Sequence, residues 1–282
     1  MARRRNPLAL WCKTTLTLLL LWSTKRVPLS LIRRFGRRMG HLAYYVIPRV
    51  RNIGLKNLNL AYGDTKNDQE KKAILMESME NLGILLVEFV HAPLLRTEKR
   101  DSLVEVKGLK YLKGTNGGTI IGAHLGNWEW MAGAFGDLEY KSIGIVRPLR
   151  DPRLNDAVEK LRGGTGIRTI GKKDAGAEII KAVREGSVVG ILIDQSARKN
   201  GVPVTFFEQP CWATVGPVMV AMRTQTPIYP VSMVRSPTGF YTLEFFPPIT
   251  VERTGHIHQD LIDGSQRYQA LTTQTVRKTP GP

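Results

Sequence analysis

From residue 96 onward, short runs of apolar, β-branched residues alternate with stretches of helical periodicity, and few chain layouts satisfy that alternation. Candidate strands lie at 103–106, 119–123, 142–147, 167–170, 188–193, 228–234 and 240–246, with helical patterns at 153–161, 175–183 and 214–224. Apolar strands separated by helices bury both their faces when they lie side by side, largely parallel, with helices packed above and below. The expected fold class is therefore α/β, a mostly parallel central sheet flanked by helices, spanning residues 96–271.

The remaining third of the chain differs in composition. Of 41 Lys and Arg residues, 13 fall within residues 1–56, where there is no acid at all, and the first carboxylate is Asp64. The other 28 basic residues nearly balance the 24 acids, so the net charge of +17 is an end effect. Nucleic-acid binding is one reading of a basic arm. Here, however, the arginines are interleaved with Leu, Trp, Val, Ile, Phe and Tyr, a mixture that suits an anionic membrane surface and not a nucleic acid. Residues 7–22 are mostly apolar, but sixteen residues rising 1.5 Å each reach about 24 Å against a hydrocarbon core of about 30 Å. A tight span, a helix lying in the interface and a secretory signal are all compatible. With only Ser-Thr-Lys-Arg after the apolar run and no small-residue cleavage site, an uncleaved anchor over 1–28 is expected. Residues 29–95 read as a helical, membrane-proximal region: 29–45 amphipathic, ended by Pro48, then helices over 51–62 and 68–91. A solvated basic face packed on the domain is the alternative for 29–45. Cys12 and Cys211 belong to no paired motif, which suggests neither a disulfide framework nor a zinc site and fits a reducing compartment.

Chemistry concentrates in one stretch, Thr119-Ile-Ile-Gly-Ala-His-Leu-Gly-Asn-Trp-Glu-Trp130. The apolar run predicts a strand, Gly126-Asn127 a turn and helix cap, and the residues after it a helix. His124 is thus expected at the C-terminal end of a strand, where α/β sheets hold their ligands, and Glu129 in the first turn of the next helix. Positions five apart on one helix differ by roughly 140°, so a His–Glu contact requires His124 on the turn. A carboxylate on one imidazole nitrogen leaves the other free to take a proton from a hydroxyl. With no Ser or Cys beside the pair, a substrate hydroxyl would attack, which points to acyl transfer without an acyl-enzyme. On spacing and context alone, a structural histidine remains equally open. The same spacing recurs at His258 and Asp263, without strand or turn, as an ordinary amphipathic helix. Residues 166–173 approach a phosphate-binding loop but lack its final Ser or Thr and have a strand-forming interior, so nucleotide binding is set aside.

The 119–130 stretch resembles the H-x-x-x-x-D/E block of the glycerolipid acyltransferase superfamily. Gly122-Ala-His-Leu-Gly-Asn-Trp-Glu129 is closer still to the bacterial lipid A late acyltransferases, the lauroyl and myristoyl transferases. Further blocks follow in order: Asn81-Leu-Gly83 with Glu88 before the α/β region, Arg147-Pro-Leu-Arg150, Asp194-Gln195, and Thr214 with Gly216-Pro217. The likeness runs from about Arg33 to Tyr268. It implies an acyltransferase in which His124, oriented by Glu129, deprotonates a hydroxyl of a lipid A precursor for attack on an acyl carrier protein thioester. Asn127, Arg147, Arg150, Asp194 and Gln195 would bind substrate or the oxyanion. Arg168, Lys172 and Arg198 are secondary candidates for acceptor phosphates or the carrier protein, and Glu88 is structural. Phe206, Phe207 and Trp212 either line an acyl groove or fill core. No metal or cofactor is implied, and the implied location is the bacterial inner membrane with the catalytic domain on the cytoplasmic side. The alternatives are another glycolipid or a phosphoglycerol as acceptor, or an inactive lipid-binding homologue. Residues 272–282 depart from the family's Trp-rich basic ending and are expected to form an irregular tail, as in a truncated chain.

Overall fold

The computed structural model describes residues 7–97, 99–136, 140–171 and 175–282. Helices α1 (Pro7–Thr24), α2 (Leu29–Val46), α3 (Pro48–Tyr62) and α4 (Asp68–Glu88) precede the α/β region. That region runs β1 (Val104–Lys107), β2 (Gly118–Gly122), α5 (Trp128–Phe135), β3 (Ser142–Val146), α6 (Pro152–Gly163), β4 (Arg168–Gly171), α7 (Gly176–Arg184) and β5 (Val188–Leu192). It continues through β6 (Gly201–Phe206), β7 (Gln209–Thr214), α8 (Gly216–Thr224), β8 (Ile228–Arg235), β9 (Tyr241–Phe245) and α9 (Ile257–Lys278).

The seven-stranded sheet has the order β1-β9-β8-β2-β5-β3-β4. Strands β8, β2, β5, β3 and β4 run parallel, while β9 pairs antiparallel with β8 and carries β1 alongside it. The expected mostly parallel sheet is therefore present, with β2 as its central strand. Every residue of β2 is buried, as its lack of polar alternation requires. Ile120 packs with Trp130, Phe135 and the 89–96 segment on one face, and Ile121 with Val218, Ala221 and Tyr268 on the other. Residues 201–214, which fall between the candidate strand at 188–193 and the helical pattern at 214–224, form the β6–β7 hairpin. Its positive-φ turn residues, Phe207 and Glu208, are not types that announce such a turn in a sequence.

Helix α4 opens on a capping box: Asn67 Oδ1 accepts from Glu70 N (2.9 Å) while Glu70 Oε2 accepts from Asn67 N (2.8 Å). It packs along α2 at close range. The buried stripe of α2 is Ile32, Gly36, Gly40 and Tyr44, at a spacing of four. A Cβ on Gly36 would come within 2.6 Å of the Gly83 carbonyl oxygen, and one on Gly83 would strike the Gly36 carbonyl in return. The opposite face of α2 leaves Leu31, Phe35, Met39, Leu42 and Tyr45 exposed, beside the exposed Arg34, Arg37 and Arg38. The amphipathic pattern thus reports a buried small-residue seam and an open apolar face.

Among the described residues no helix is long and apolar enough to cross a membrane. Helix α1 docks on the α/β region: Thr14 Oγ1 donates to Asp151 Oδ2 (2.6 Å) and the Arg153 guanidinium lies over Trp11, 5.6 Å from the ring centroid. At the other end, residues 272–278, expected to be irregular, continue α9. The hydroxyls of Thr272, Thr273 and Thr275 bond to the carbonyls four residues earlier, and Arg277 pairs with Glu208 at 2.5 Å. These tertiary and local bonds outweigh the low helix propensity of threonine.

Two outcomes are expected. Gly83→Ala should force α2 and α4 apart, costing about 1–3 kcal/mol and lowering the melting temperature, whereas Gly163→Ala, at the open end of α6 with nothing within 4 Å of its Cβ and no left-handed backbone, serves as a control for the melting assay. His91, buried beneath the end of α1, has its pKa held below the usual 6.5 chiefly by desolvation, against a hydrogen bond to the Thr24 backbone. The unfolded chain therefore takes up this proton first, so stability contributed by a neutral His91 is present above about pH 6.5 and lost as pH falls from there toward the depressed folded value. His91→Gln should flatten the decline in melting temperature between about pH 7 and 5.

Candidate active site

The turn after β2 is fixed from two sides before any catalytic group is considered. Gly126 has φ +63°, and a Cβ there would run into the Met233 carbonyl of β8; only glycine lets the turn sit this close to the neighbouring strand. Asn127, fully buried, caps α5 by accepting from Trp130 N (2.9 Å). Its Nδ2 donates to Glu88 Oε2 at 2.7 Å. Glu88, also fully buried, further accepts from Tyr241 OH (2.6 Å) and from Arg33 Nε (2.5 Å), and its backbone oxygen accepts from Trp130 Nε1 (2.9 Å). Burial, then the adjacent Glu88 charge, push the Tyr241 phenol well above its ordinary pKa of 10, so it remains a donor.

His124 stands on this turn at the C-terminal edge of the sheet, as its sequence context implies. Its partner is not Glu129. Nδ1 lies 2.8 Å from Asp194 Oδ1, in a partly exposed pair. Strand register explains the choice. Gly122 of β2 faces Leu192 of β5, and His124 and Asp194 each lie two residues beyond, so the parallel ladder delivers them to one another. Trp128 closes over the imidazole edge to face, with 4.8 Å between centroids.

Glu129, in the first turn of α5, is instead gripped by Arg162 of α6 through two bonds, Nη2 to Oε1 at 2.7 Å and Nε to Oε2 at 3.1 Å. Glu159 completes the cluster at 3.1 Å from Arg162 Nη1. Burial pulls the guanidinium's pKa down, but hydrogen bonds and charge from Glu129 and then Glu159 outweigh it and hold Arg162 above its usual value. A bidentate Arg–carboxylate contact is geometrically specific, and it takes both Glu129 oxygens.

His124, Trp128, Glu129, Arg147 and Arg162 all line one cavity of about 220 Å³. From the edge holding His124 it extends across the sheet face beneath α5, and its walls are chiefly apolar, with Ile120, Met131, Phe135, Ile143, Ile167 and Leu192 among them. Gly190 of β5 and Gly144 of β3 lie side by side in the ladder and both line it. A Cβ on either meets nothing nearer than 3.6 Å, so this pair leaves a trough in the sheet surface.

The candidate residues separate accordingly. Arg147, exposed one residue beyond β3, lies at the same edge as His124 and Asp194, with exposed Gln195 following Asp194. Arg150 and Arg198 are exposed in the loops after β3 and β5. Asn127, expected to touch substrate or oxyanion, is corrected: both polar ends are used inside the protein, because a buried amide must satisfy them. Arg168 is corrected as well. It opens β4 opposite Ile143, toward the N-terminal edge of the parallel strands, and pairs with Glu178 at 2.5 Å. Lys172 lies outside the described residues. Phe207 packs against Tyr62 and beneath Arg277 while Trp212 is exposed, and neither they nor Phe206 line the His124 cavity. Arg162 had no signal in the sequence. Glu88 had one, a lone carboxylate within Leu85-Leu-Val-Glu-Phe-Val90.

Residues 3–281 match the family described as bacterial lipid A biosynthesis acyltransferase. The chain is 26% identical to the lipid A biosynthesis lauroyltransferase of Escherichia coli K12 over 238 residues, covering 81% of this chain and 76% of the relative. It is 25% identical over 221 residues to the palmitoleoyltransferase of the same organism and to a lipid A biosynthesis acyltransferase of Shigella flexneri, in each case over 76% of this chain and 71% of the relative. Among solved structures, a 1-acyl-sn-glycerophosphate acyltransferase from Thermotoga maritima aligns with a TM-score of 0.36 and 14% identity, over 85% of this chain and 98% of that one. With nearly its whole length matched, this chain belongs to the bacterial lipid A biosynthesis acyltransferase family and is an acyltransferase.

Proposed function

We propose that this enzyme moves a fatty acyl chain from an acyl carrier protein thioester to a hydroxyl of a lipid A precursor, with His124 as general base. The observation that carries the reading is the His124–Asp194 pair at the mouth of an apolar cavity. Ionised Asp194 favours the tautomer with the proton on Nδ1, leaving Nε2 as the acceptor. Nε2 takes the hydroxyl proton as that oxygen attacks the thioester carbonyl. Collapse of the tetrahedral intermediate breaks the C–S bond, and the departing thiolate recovers the proton from the imidazolium. Arg147 lies at the same edge as a cation for the oxyanion. Glu129, the motif carboxylate, acts at one remove in this arrangement: with Arg162 it forms the polar wall of the cavity, and Asp194 supplies the direct contact to the ring.

The cavity suits a hydrocarbon chain, since its sheet wall is apolar and deepened by Gly144 and Gly190. The exposed Leu31, Phe35, Met39 and Leu42 of α2, with Trp11, Leu16, Leu19 and Trp22 of α1, form apolar faces next to unbalanced arginines. That combination supports association with an anionic membrane, with the sequence-based division into anchor, membrane-proximal helices and α/β acyltransferase domain as its plan. The location proposed is the inner membrane, with the domain facing the cytoplasm.

His124→Ala should lower the rate of transfer from acyl carrier protein thioester to lipid A precursor by about 10²–10⁴ with no loss of melting temperature; full turnover in a preparation free of other acyltransferases would overturn the assignment. Gly190→Leu should fill the trough and shift the preference between acyl donors two carbons apart toward the shorter, by roughly tenfold or more. Mass spectra of products from mixed donors measure this, and an unchanged product distribution would remove the cavity from the donor site.

A further inference from the structure

We propose that Glu88, at the end of α4, is the positioning residue for His124, acting through Asn127 on the turn that carries the imidazole. The inference rests on the acyl-transfer reading of His124 given above. Three donors converge on one carboxylate: Arg33 Nε on Oε1, and Asn127 Nδ2 with Tyr241 OH on Oε2. They come from α2, the α5 cap and β9, so a single buried group joins the amphipathic helix, the catalytic turn and the antiparallel side of the sheet.

The direction of each bond is determined. Asn127 Oδ1 must accept from Trp130 N to cap α5, so its Nδ2 has to face an acceptor, and Glu88 is that acceptor. A glutamine at 88 offers one acceptor oxygen where two are needed. Either its amide N–H meets Arg33 Nε, or it meets Asn127 Nδ2, and donor against donor is repulsive. If Asn127 turns its amide over to escape, the α5 cap is lost. Only Leu125 and Gly126 separate His124 from Asn127, and the turn is already pressed against Met233 at Gly126, so relaxation at Asn127 displaces the ring from Asp194. A misplacement of about 1 Å at a reacting group is worth on the order of 10² in rate.

The same count identifies a rescue. With Glu88→Gln and Asn127→Asp together, the glutamine N–H donates to the new carboxylate, its oxygen still accepts from Arg33, and the aspartate still caps Trp130 N. Tyr241 OH then accepts from the second glutamine hydrogen. All three contacts at position 88 are kept, with two bonds reversed, those to position 127 and to Tyr241.

The test is kinetic, on the full chain, with lauroyl-acyl carrier protein as donor and a lipid A precursor as acceptor. E88Q and N127D should each lower kcat about 10²-fold while KM for the donor stays within about twofold, because the donor site is not touched. The E88Q/N127D double variant should recover kcat to within roughly tenfold of the parent. A role confined to fold stability would lower the melting temperature and the folded fraction but leave kcat per folded enzyme unchanged. A folded E88Q variant with kcat within about threefold of the parent, a loss confined to KM, or a double variant no faster than N127D would each overturn the proposal. Should E88Q not fold, the comparison of N127D with the double variant decides alone. His124→Ala is measured in parallel. If it retains turnover, the acyl-transfer reading itself falls; if it is inactive while E88Q is unimpaired, only the role of Glu88 falls.

Discussion

Glu88 sits in complete burial, with the Arg33 guanidinium hydrogen-bonded to one oxygen and Asn127 and Tyr241 to the other. Burying a carboxylate is costly, and losing one partner of such a pair leaves the other uncompensated at about 3–5 kcal/mol. The rest of the structure follows from how that carboxylate is satisfied. Arg33 has to lie along α4, which the glycine seam of Gly36, Gly40 and Gly83 permits by bringing the two helices into backbone contact. Tyr241 must reach in from β9 and Asn127 from the turn after β2. The helical region and the sheet are in this way fixed to one another by a polar centre, where an all-apolar contact would have allowed sliding.

The sheet supplies the second constraint. Because β2 is flanked by β5 and β8 in one parallel array, its C-terminal edge gathers the residues that follow three separate strands: His124 after β2, Arg147 after β3 and Asp194 after β5. Between β2 and β5 the chain makes the β3 and β4 excursions, and a ligand crevice at such a reversal is the usual outcome in open α/β sheets. The apolar trough running back from this edge exists because two neighbouring strands carry glycine at the same level, so that a hydrocarbon-lined cavity and the His124 imidazole share one mouth.

The family of this enzyme includes relatives of nearly equal similarity named for lauroyl and for palmitoleoyl transfer. Similarity at that level selects no acyl chain. Under the donor role proposed for this cavity, the depth of the trough at Gly144 and Gly190, with Phe135, Ile143 and Ile167 around it, is the local property that would select the chain.

Local sequence was enough for the strands of the seven-stranded sheet, for the strand–turn–helix around His124 and for the basic, apolar N-terminal helices, though not for the β6–β7 hairpin. Each is encoded by periodicity, by a turn glycine or by a cap within a few residues of itself. What sequence spacing could not supply was the pairing of groups far apart in the chain. The spacing of five between His124 and Glu129 suggested a partnership, yet register gave the imidazole to Asp194, 70 residues away, and Arg162 took Glu129 from 33 residues away. Asn127 looked like a substrate ligand until burial showed both its polar ends already in use, and residues 272–278 looked irregular until Glu208 and the threonine hydroxyls held them in a helix. Local pattern determines which elements form, because hydrophobic period and backbone torsion are short-range; which side chains meet is decided only when strand order and helix contact bring distant charges into one low-dielectric space.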